Sequence, residues 1–338
     1  MFGTVMYGPR DVRFEEVADV AVVEPTDAVI RTVVTCVCGS DLWSYRGIND
    51  VAWPMRTGHE YVGVVEEIGA EVRGLRAGQY VIGSFFASDN TCPICRAGYQ
   101  TSCVQRTGVV GCQAERIRVP LADGTLVALP EAPDETLLPS LLALSDVMGT
   151  GWYAAVAAEV RPGSTVAVVG DGAVGLSAVL AAKELGAERI IAMSRHEARQ
   201  KLATEFGATD IVAERGAEGV ERLKELTGGL GADAVLECVG TAESMTQAVD
   251  AVRSGGAIGV VGVPHGVELP ATQLFYRNIG LRGGPAPVRR FLPDLIERVL
   301  SGRIEPGKVF DLTLPLAEVA EAYAAMDERR AIKVLLQP

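Results

Sequence analysis

Positive charge is in short supply in this chain. Its 338 residues carry 31 lysines and arginines against 43 aspartates and glutamates, a net charge of −12. Binding a polyphosphate needs a basic surface, so the charge balance argues against a nucleic-acid partner. Long apolar runs are also missing: Gly and Pro break every hydrophobic stretch short of the roughly 20 residues that span a bilayer. The opening "MFGTVMYGPRDVRFEE" lacks a basic-then-apolar leader, so no secretory signal is expected. There is no repeat, low-complexity tract or long linker. The seven cysteines, an odd number in a large chain, fit a reducing cytoplasm better than a disulfide framework. Three of them, Cys92, Cys95 and Cys103, cluster in "DNTCPICRAGYQTSC", which points to metal or redox chemistry.

The composition is that of a globular α/β protein, 48% hydrophobic with 38 glycines. The length favours two domains. From the N-terminus to "LVALP" the texture is β-rich, with strand-like "DAVIRTVVTCVC" and "YVGVVEEIG" punctuated by Gly, Pro and Asp. Helical periodicity first appears in "ETLLPSLLALSDVMGTGWYAAVAAE". Then a buried strand over 165–169 runs into a Gly-rich turn, a helix to 186 and a strand over 189–193. The alternation continues with helix 196–206, strand 211–213, helix 216–227, strand 233–237, helix 242–253 and strand 257–262. Such alternation predicts a parallel, doubly wound sheet. After "GGPAPV" come a helix over 289–301, the β-like "VFDLTLPL", a helix over 316–328 and a last strand "AIKVLL". The expected division is a β-rich domain of residues 1–150 completed by 288–338, with a nucleotide domain of residues 151–287 inserted in it.

"VAVVGDGAVG" places Gly170, Gly172 and Gly175 as G-x-G-x-x-G, after a buried strand and at the opening of a helix, the context that gives this motif its meaning. Gly170 permits the tight turn, Gly172 the approach of a pyrophosphate, and Gly175 close packing of helix on strand. The helix N-terminus at Ala173 and Val174 offers free N–H groups to phosphates. The next strand ends in "MSRHEAR", with Ser194 where an NAD site usually carries Asp or Glu, followed by Arg195, His196 and Arg199. A hydroxyl and guanidinium groups favour a 2′-phosphate where a carboxylate would repel it, so NADP(H) is predicted.

Three short stretches carry candidate metal ligands: Cys38, Ser40 and Asp41 in "CGSD", His59 and Glu60 in "TGHE", and Asp146 in "LSDVMGTG". Of the three histidines only His59 stands at a strand entrance, where a ligand would be presented. Cys38, His59 and Asp146 make a plausible S, N, O set for catalytic zinc, with Glu60 next in reach. Taken singly, Cys38 is more often a buried hydrophobe and Asp146 more often a helix-end carboxylate. Asp89 stands three residues before Cys92, where a further cysteine would continue the spacing.

In this order, "CGSD", "TGHE", "LSDVMGTGWYAA" and the late G-x-G-x-x-G resemble the zinc-dependent medium-chain alcohol dehydrogenase family over essentially the whole chain. The Asp ligand and the "SR" after the second strand are similar to those of bacterial NADP-dependent secondary alcohol dehydrogenases. The resemblance implies an α/β architecture: a GroES-like β-rich catalytic domain plus an inserted Rossmann domain with a doubly wound parallel sheet. It implies that Cys38, His59 and Asp146 bind the catalytic zinc, that Glu60 enters the coordination sphere during exchange, and that Asp41 orients His59. Ser40 matches the hydroxyl that bonds the zinc-bound alcohol and relays its proton. Thr150, in the turn after the metal helix, Val239, and Gly262 and Val263 in "VGVP" are expected around the nicotinamide. Many relatives carry a histidine three residues after the Ser/Thr; here it is Trp43, expected with Trp53 to wall the substrate pocket, Tyr45 and Trp152 being further candidates. In the family a loop with C-x2-C-x2-C-x7-C binds structural zinc, and Asp89 falls on its first position. Asp89, Cys92, Cys95 and Cys103 are thus implied as a structural zinc set, with an empty loop or a C-P-I-C redox pair as the other readings.

The activity so implied is hydride transfer between NADP(H) and a zinc-bound alcohol, ketone or aldehyde, in a tetramer with no nucleic-acid or membrane partner. A polyol or aldehyde-adduct dehydrogenase has the same chemistry. A metal-free quinone reductase lacks the ligand set, and a non-catalytic NADPH-binding protein has no need to keep it.

Overall fold

The strand Ala28–Cys36 is the axis of the β-rich unit in the computed structural model, which describes all 338 residues. Its sequence AVIRTVVTC is rich in β-branched residues, and both its faces are largely buried, as a central strand requires. It pairs antiparallel with Tyr61–Ile68, with Arg116–Val119 and with the C-terminal strand Lys333–Gln337. The sheet runs Leu126–Ala128, Tyr80–Gly83, Tyr61–Ile68, Ala28–Cys36, Lys333–Gln337, Phe310–Pro315. The tail thus supplies two strands, with Leu335 opposite Cys36 and Leu336 opposite Thr35. Helix Val319–Asp327 seals that end, where Tyr323, Val334 and Leu336 share a core with Val37 and Leu42. This unit comprises Met1–Asp146 and Pro287–Pro338.

The second unit, Val147–Ala286, is built on a six-stranded parallel sheet. Its order is Asp210–Val212, Arg189–Met193, Thr165–Val169, Ala232–Glu237, Val252–Val260, Gly280–Gly283, a doubly wound sheet whose direction of winding reverses beside Thr165–Val169. Val169, Ile191, Val235 and Ile258 lie in one core with Val220, Leu223, Met245 and Val249 of the covering helices.

Three expectations change. The division falls after Asp146 and after Ala286 rather than at 150 and 287, because helix Val147–Ala157 packs on helix Ala173–Glu184 and strand Val252–Val260. Small residues allow it: a Cβ on Gly151 would lie 2.5 Å from the Ala178 amide nitrogen, and one on Gly259 2.0 Å from the Ala154 carbonyl oxygen. Thr150 accordingly sits inside that helix and not in a turn. The edge strand Gly280–Gly283 was not expected at all, since "GLRG" offers one apolar residue and no alternation.

Gly151→Val is expected to destabilise the Val147–Ala286 unit by about 2 kcal/mol or more, since backbone atoms and not a flexible side chain meet the new group. Urea unfolding followed by hydrogen exchange in that unit reads the loss; an unchanged midpoint would contradict the close helix approach.

Candidate functional site

Cys38 follows the end of strand Ala28–Cys36, His59 and Glu60 precede strand Tyr61–Ile68, and Asp146 follows helix Leu138–Ala143. The sheet brings these segments together: one ligand atom from each of Cys38, His59, Glu60 and Asp146 lies within 4.8 Å of the others. Each approach is fixed by buried polar contacts. Gly58 has φ +88°, and a Cβ there would meet the Gln113 amide nitrogen at 2.7 Å, so only glycine turns the chain into His59. Ser145 holds the Asp146 loop: its Oγ donates to the Gly83 carbonyl at 2.7 Å and accepts from the Tyr61 amide at 3.1 Å. Asp41, the first residue of helix Asp41–Tyr45, accepts from the Cys38 amide at 2.9 Å and faces His59 Nδ1 at 3.4 Å.

With Nδ1–H turned to Asp41, Nε2 presents its lone pair inward. It lies 3.2 Å from Asp146 Oδ2, which is 3.5 Å from Cys38 Sγ. Glu60 is fully buried, and its Oε2 has no hydrogen-bond partner. Protons relieve this crowding when no cation does. Burial and then the Asp146 and Glu60 carboxylates push the Cys38 thiol up. Burial works against the His59 imidazolium, but Asp41, Cys38 and Asp146 outweigh it and hold its pKa well above the usual value. A thiolate, an imidazole and carboxylates converging on one point, with an orphan buried oxygen among them, fit a divalent zinc ion.

One residue here escaped the sequence reading. Lys333 Nζ lies 2.7 Å from Glu60 Oε1 and also donates to the Val37 carbonyl at 3.2 Å, with both side chains of the pair only 1% exposed. The signal was a lone cation in the apolar final strand "AIKVLL". Burial alone would lower the Lys333 pKa; its electrostatic coupling to Cys36, Glu60 and Cys38 outweighs that and holds it well above the usual value.

The loop 89–103 brings together Asp89, Cys92, Cys95 and Cys103, again with ligand atoms within 4.8 Å. Cys92 caps helix Pro93–Arg96, and the amides of Cys95, Asp89 and Gln105 point at the sulfurs of Cys92 and Cys103. The Cys92 and Cys103 sulfurs are 4.0 Å apart, no disulfide but near the ~3.8 Å edge of a tetrahedron with Zn–S of ~2.3 Å. Asp89 is ready as an anion. Burial opposes its ionisation, yet hydrogen bonds from the Cys92 and Thr91 amides hold its pKa at about 2.

In the second unit Gly170 has φ +119°, and a Cβ on Gly175 would lie 1.9 Å from the Gly170 carbonyl oxygen, so both glycines are required by the turn. Gly172 caps helix Ala173–Glu184, and a Cβ there meets nothing within 4 Å. That open space beside free helix amides suits a pyrophosphate. Val239, Gly240, Gly262 and Val263 gather beside it, since a Cβ on Gly170 would touch Val239 and one on Gly240 would touch Val263. Ser194 and Arg199 converge on Asp171, while Arg195 is exposed. His196 takes the N-cap position of helix Glu197–Phe206 without capping it through its side chain.

Among the pocket candidates, Ser40 is half-buried and its hydroxyl makes no cap hydrogen bond. Trp43 is half-buried on the same short helix. Trp53 packs, partly buried, on the core around Tyr323, and Tyr45 is part of that core, its ring 5.3 Å from Tyr323. Trp152 is buried within helix Val147–Ala157.

Residues 24–131 match the alcohol dehydrogenase GroES-like domain, and residues 173–299 match the zinc-binding dehydrogenase model. A probable zinc-binding alcohol dehydrogenase of Mycobacterium tuberculosis is 37% identical, covering 97% of this chain and 86% of its own. An NADP-dependent isopropanol dehydrogenase of Thermoanaerobacter brockii is 34% identical over 84% of each chain. The solved alcohol dehydrogenase TADH from Thermus sp. ATN1 superposes with a TM-score of 0.91 at 32% identity, over 100% of this chain and 99% of that one. No helix is long and apolar enough to cross a membrane.

Lys333→Met removes the buried partner of Glu60 and is expected to cost about 3 kcal/mol or more. Adding Glu60→Gln should recover most of that loss in chemical unfolding. A double variant no more stable than the single one would mean that the lysine acts through packing and not through charge.

Proposed function

The chain belongs to the zinc-dependent medium-chain alcohol dehydrogenase family, and from that premise we propose that it works as an NADP(H)-preferring alcohol dehydrogenase and carbonyl reductase. The observation that carries the cofactor preference is the end of strand Arg189–Met193. There a serine and two arginines, Ser194, Arg195 and Arg199, replace the acid of an NAD site. A relative described as NADP-dependent supports the same reading. The chain's length and cysteine usage favour a tetramer in the cytoplasm.

Cys38, His59 and Asp146 are the residues proposed to hold the catalytic zinc, with Glu60 in reserve, and Asp89, Cys92, Cys95 and Cys103 a structural zinc. When bound, the catalytic metal supplies a Lewis acid that polarises the substrate C–O bond, and the nicotinamide supplies or accepts the hydride. The chain's own work is to position and to move a proton. Asp41 fixes the ring of His59 so that Nε2 faces the metal site. Ser40 Oγ, free of any cap bond, takes the proton of the substrate hydroxyl during oxidation and returns it during reduction. With tryptophan at 43 the chain has no relay histidine three residues after Ser40 to take the proton onward, and the indole narrows the substrate cleft. Gly170, Gly172 and the amides of Ala173 and Val174 orient the pyrophosphate. Thr150, Val239, Gly262 and Val263 are the residues assigned to the nicotinamide side.

Two outcomes are expected. Metal analysis of protein purified without chelator should find two zinc ions per chain, falling to one in Asp89→Ala with a lowered thermal midpoint; an unchanged count would remove Asp89 from the ligand set. Asp146→Ala should lower NADPH-dependent ketone reduction by about 10²-fold or more, a loss of several kcal/mol of transition-state stabilisation. A zinc-free protein that reduces quinones with undiminished rate after the Asp146 change would overturn the reading.

A further inference from the structure

The acid missing from the end of the second strand returns from the glycine turn. Ser194 occupies the place where a carboxylate would select a ribose 2′-hydroxyl, yet its Oγ donates at 2.8 Å to Oδ2 of Asp171, the residue between Gly170 and Gly172. Arg199 closes on the same side chain, with Nη1 3.2 Å from Asp171 Oδ1 and 3.3 Å from its carbonyl oxygen. The Arg199 and Asp171 side chains are each only 14% exposed, so solvent screens their exchange weakly. Arg195, one residue on from Ser194, is exposed and enters no ion pair.

Two of the three groups that favour a 2′-phosphate are therefore already engaged. A serine hydroxyl has one proton to donate. Ser194 gives it to Asp171, and what it turns toward a further ligand is lone pairs, which phosphate oxygens avoid. The charge of Arg199 is offset by the carboxylate it touches, which leaves Arg195 as the uncompensated cation. A 2′-phosphate brings a charge of roughly −1.5 to −2 and meets a carboxylate behind its own donors. A ribose 2′-hydroxyl meets an acceptor.

We infer that Asp171 is a specificity-determining residue: its carboxylate restrains the preference for the 2′-phosphate and keeps the unphosphorylated dinucleotide usable. This rests on reading Ser194, Arg195 and Arg199 as the pocket of the adenosine ribose. An acid at this position also favours the positive end of helix Ala173–Glu184. A purely structural acid of that kind, or one that only holds Ser194 and Arg199 in place, would support both cofactors equally, and its removal would weaken both.

The test is calorimetric binding of NADP+, NAD+, 2′,5′-ADP and 5′-AMP to the zinc-loaded full chain and to Asp171→Asn, with Asp171→Ser as a second variant should the first fail to fold. The expected result is about fivefold or more tighter binding of NADP+ and 2′,5′-ADP in the variant, with NAD+ and 5′-AMP unchanged or weaker, and a gain that shrinks as salt is raised. Equal or weaker binding of 2′,5′-ADP in a variant with native circular dichroism would overturn the inference. The preference of the wild-type protein is read separately. Tighter NAD+ than NADP+ there would sink the NADP(H) reading alone, while the change on substitution decides the role of Asp171.

Discussion

Electron-pair donors gathered within 4.8 Å repel one another unless a cation or protons stand among them, and the β-rich unit is organised to hold them there regardless. Cys38, His59, Glu60 and Asp146 come from three separate segments, so no local propensity assembles them. The assembly is done by strand pairing and by backbone hydrogen bonds to buried side chains. Ser145 ties the Asp146 loop to two strands at once, Gly58 turns the chain against Gln113, and Asp41 touches both the Cys38 amide and His59. Each of these contacts removes rotational freedom from a ligand before any metal arrives, which is what preorganisation means at a metal site.

The buried pair Glu60–Lys333 belongs to the same constraint. Two ions at 1% exposure are expensive to desolvate, and their mutual attraction repays that cost only with good geometry and further hydrogen bonds. Lys333 has both, at 2.7 Å to Glu60 and 3.2 Å to the Val37 carbonyl. The pair also discriminates against register slips. A shift of one residue in Lys333–Gln337 would turn the ammonium to the opposite face and leave Glu60 alone in the core. The tail thereby does more than close the sheet: it brings an ammonium against the buried Glu60 carboxylate and leaves one Glu60 oxygen uncommitted.

Legibility followed the range of the interaction. Strands Thr165–Val169 and Arg189–Met193 were read to the residue, because their apolar runs are bounded by turn residues and their period is local. The G-x-G-x-x-G turn was legible for the same reason. Strand Gly280–Gly283 was not, because it is held by a neighbour already in the sheet and not by its own pattern. Thr150 lies inside a helix and not in a turn, and Gly151 beside it serves a close helix approach that no local signal distinguishes. Candidate ligand types were visible, since Cys, His and Asp in short polar stretches stand out, but Lys333 and Asp171 were not. Both act across more than 20 residues of sequence on a partner that gives no hint of needing them.

The two metal-type clusters differ in how metal and folding are coupled. The loop 89–103 contains its whole donor set within one short segment, and its amides already point at the sulfurs and at Asp89. A donor set gathered in so short a segment is one whose order a bound cation would reinforce directly. The Cys38 cluster is the opposite case. Its donors are anchored by a sheet whose strands are tied together by Ala28–Cys36, and helix Val319–Asp327 is packed on the same end. That scaffold stands on hydrophobic burial and strand pairing, so a cation adds to it without creating it. Donors gathered by one loop and donors gathered by a sheet place different demands on their residues. Asp89 needs only to be an anion, as the amides that hold its pKa at about 2 ensure. Asp146 offers a compact, hard carboxylate donor next in the chain to Ser145, whose hydroxyl ties that loop to Gly83 and Tyr61.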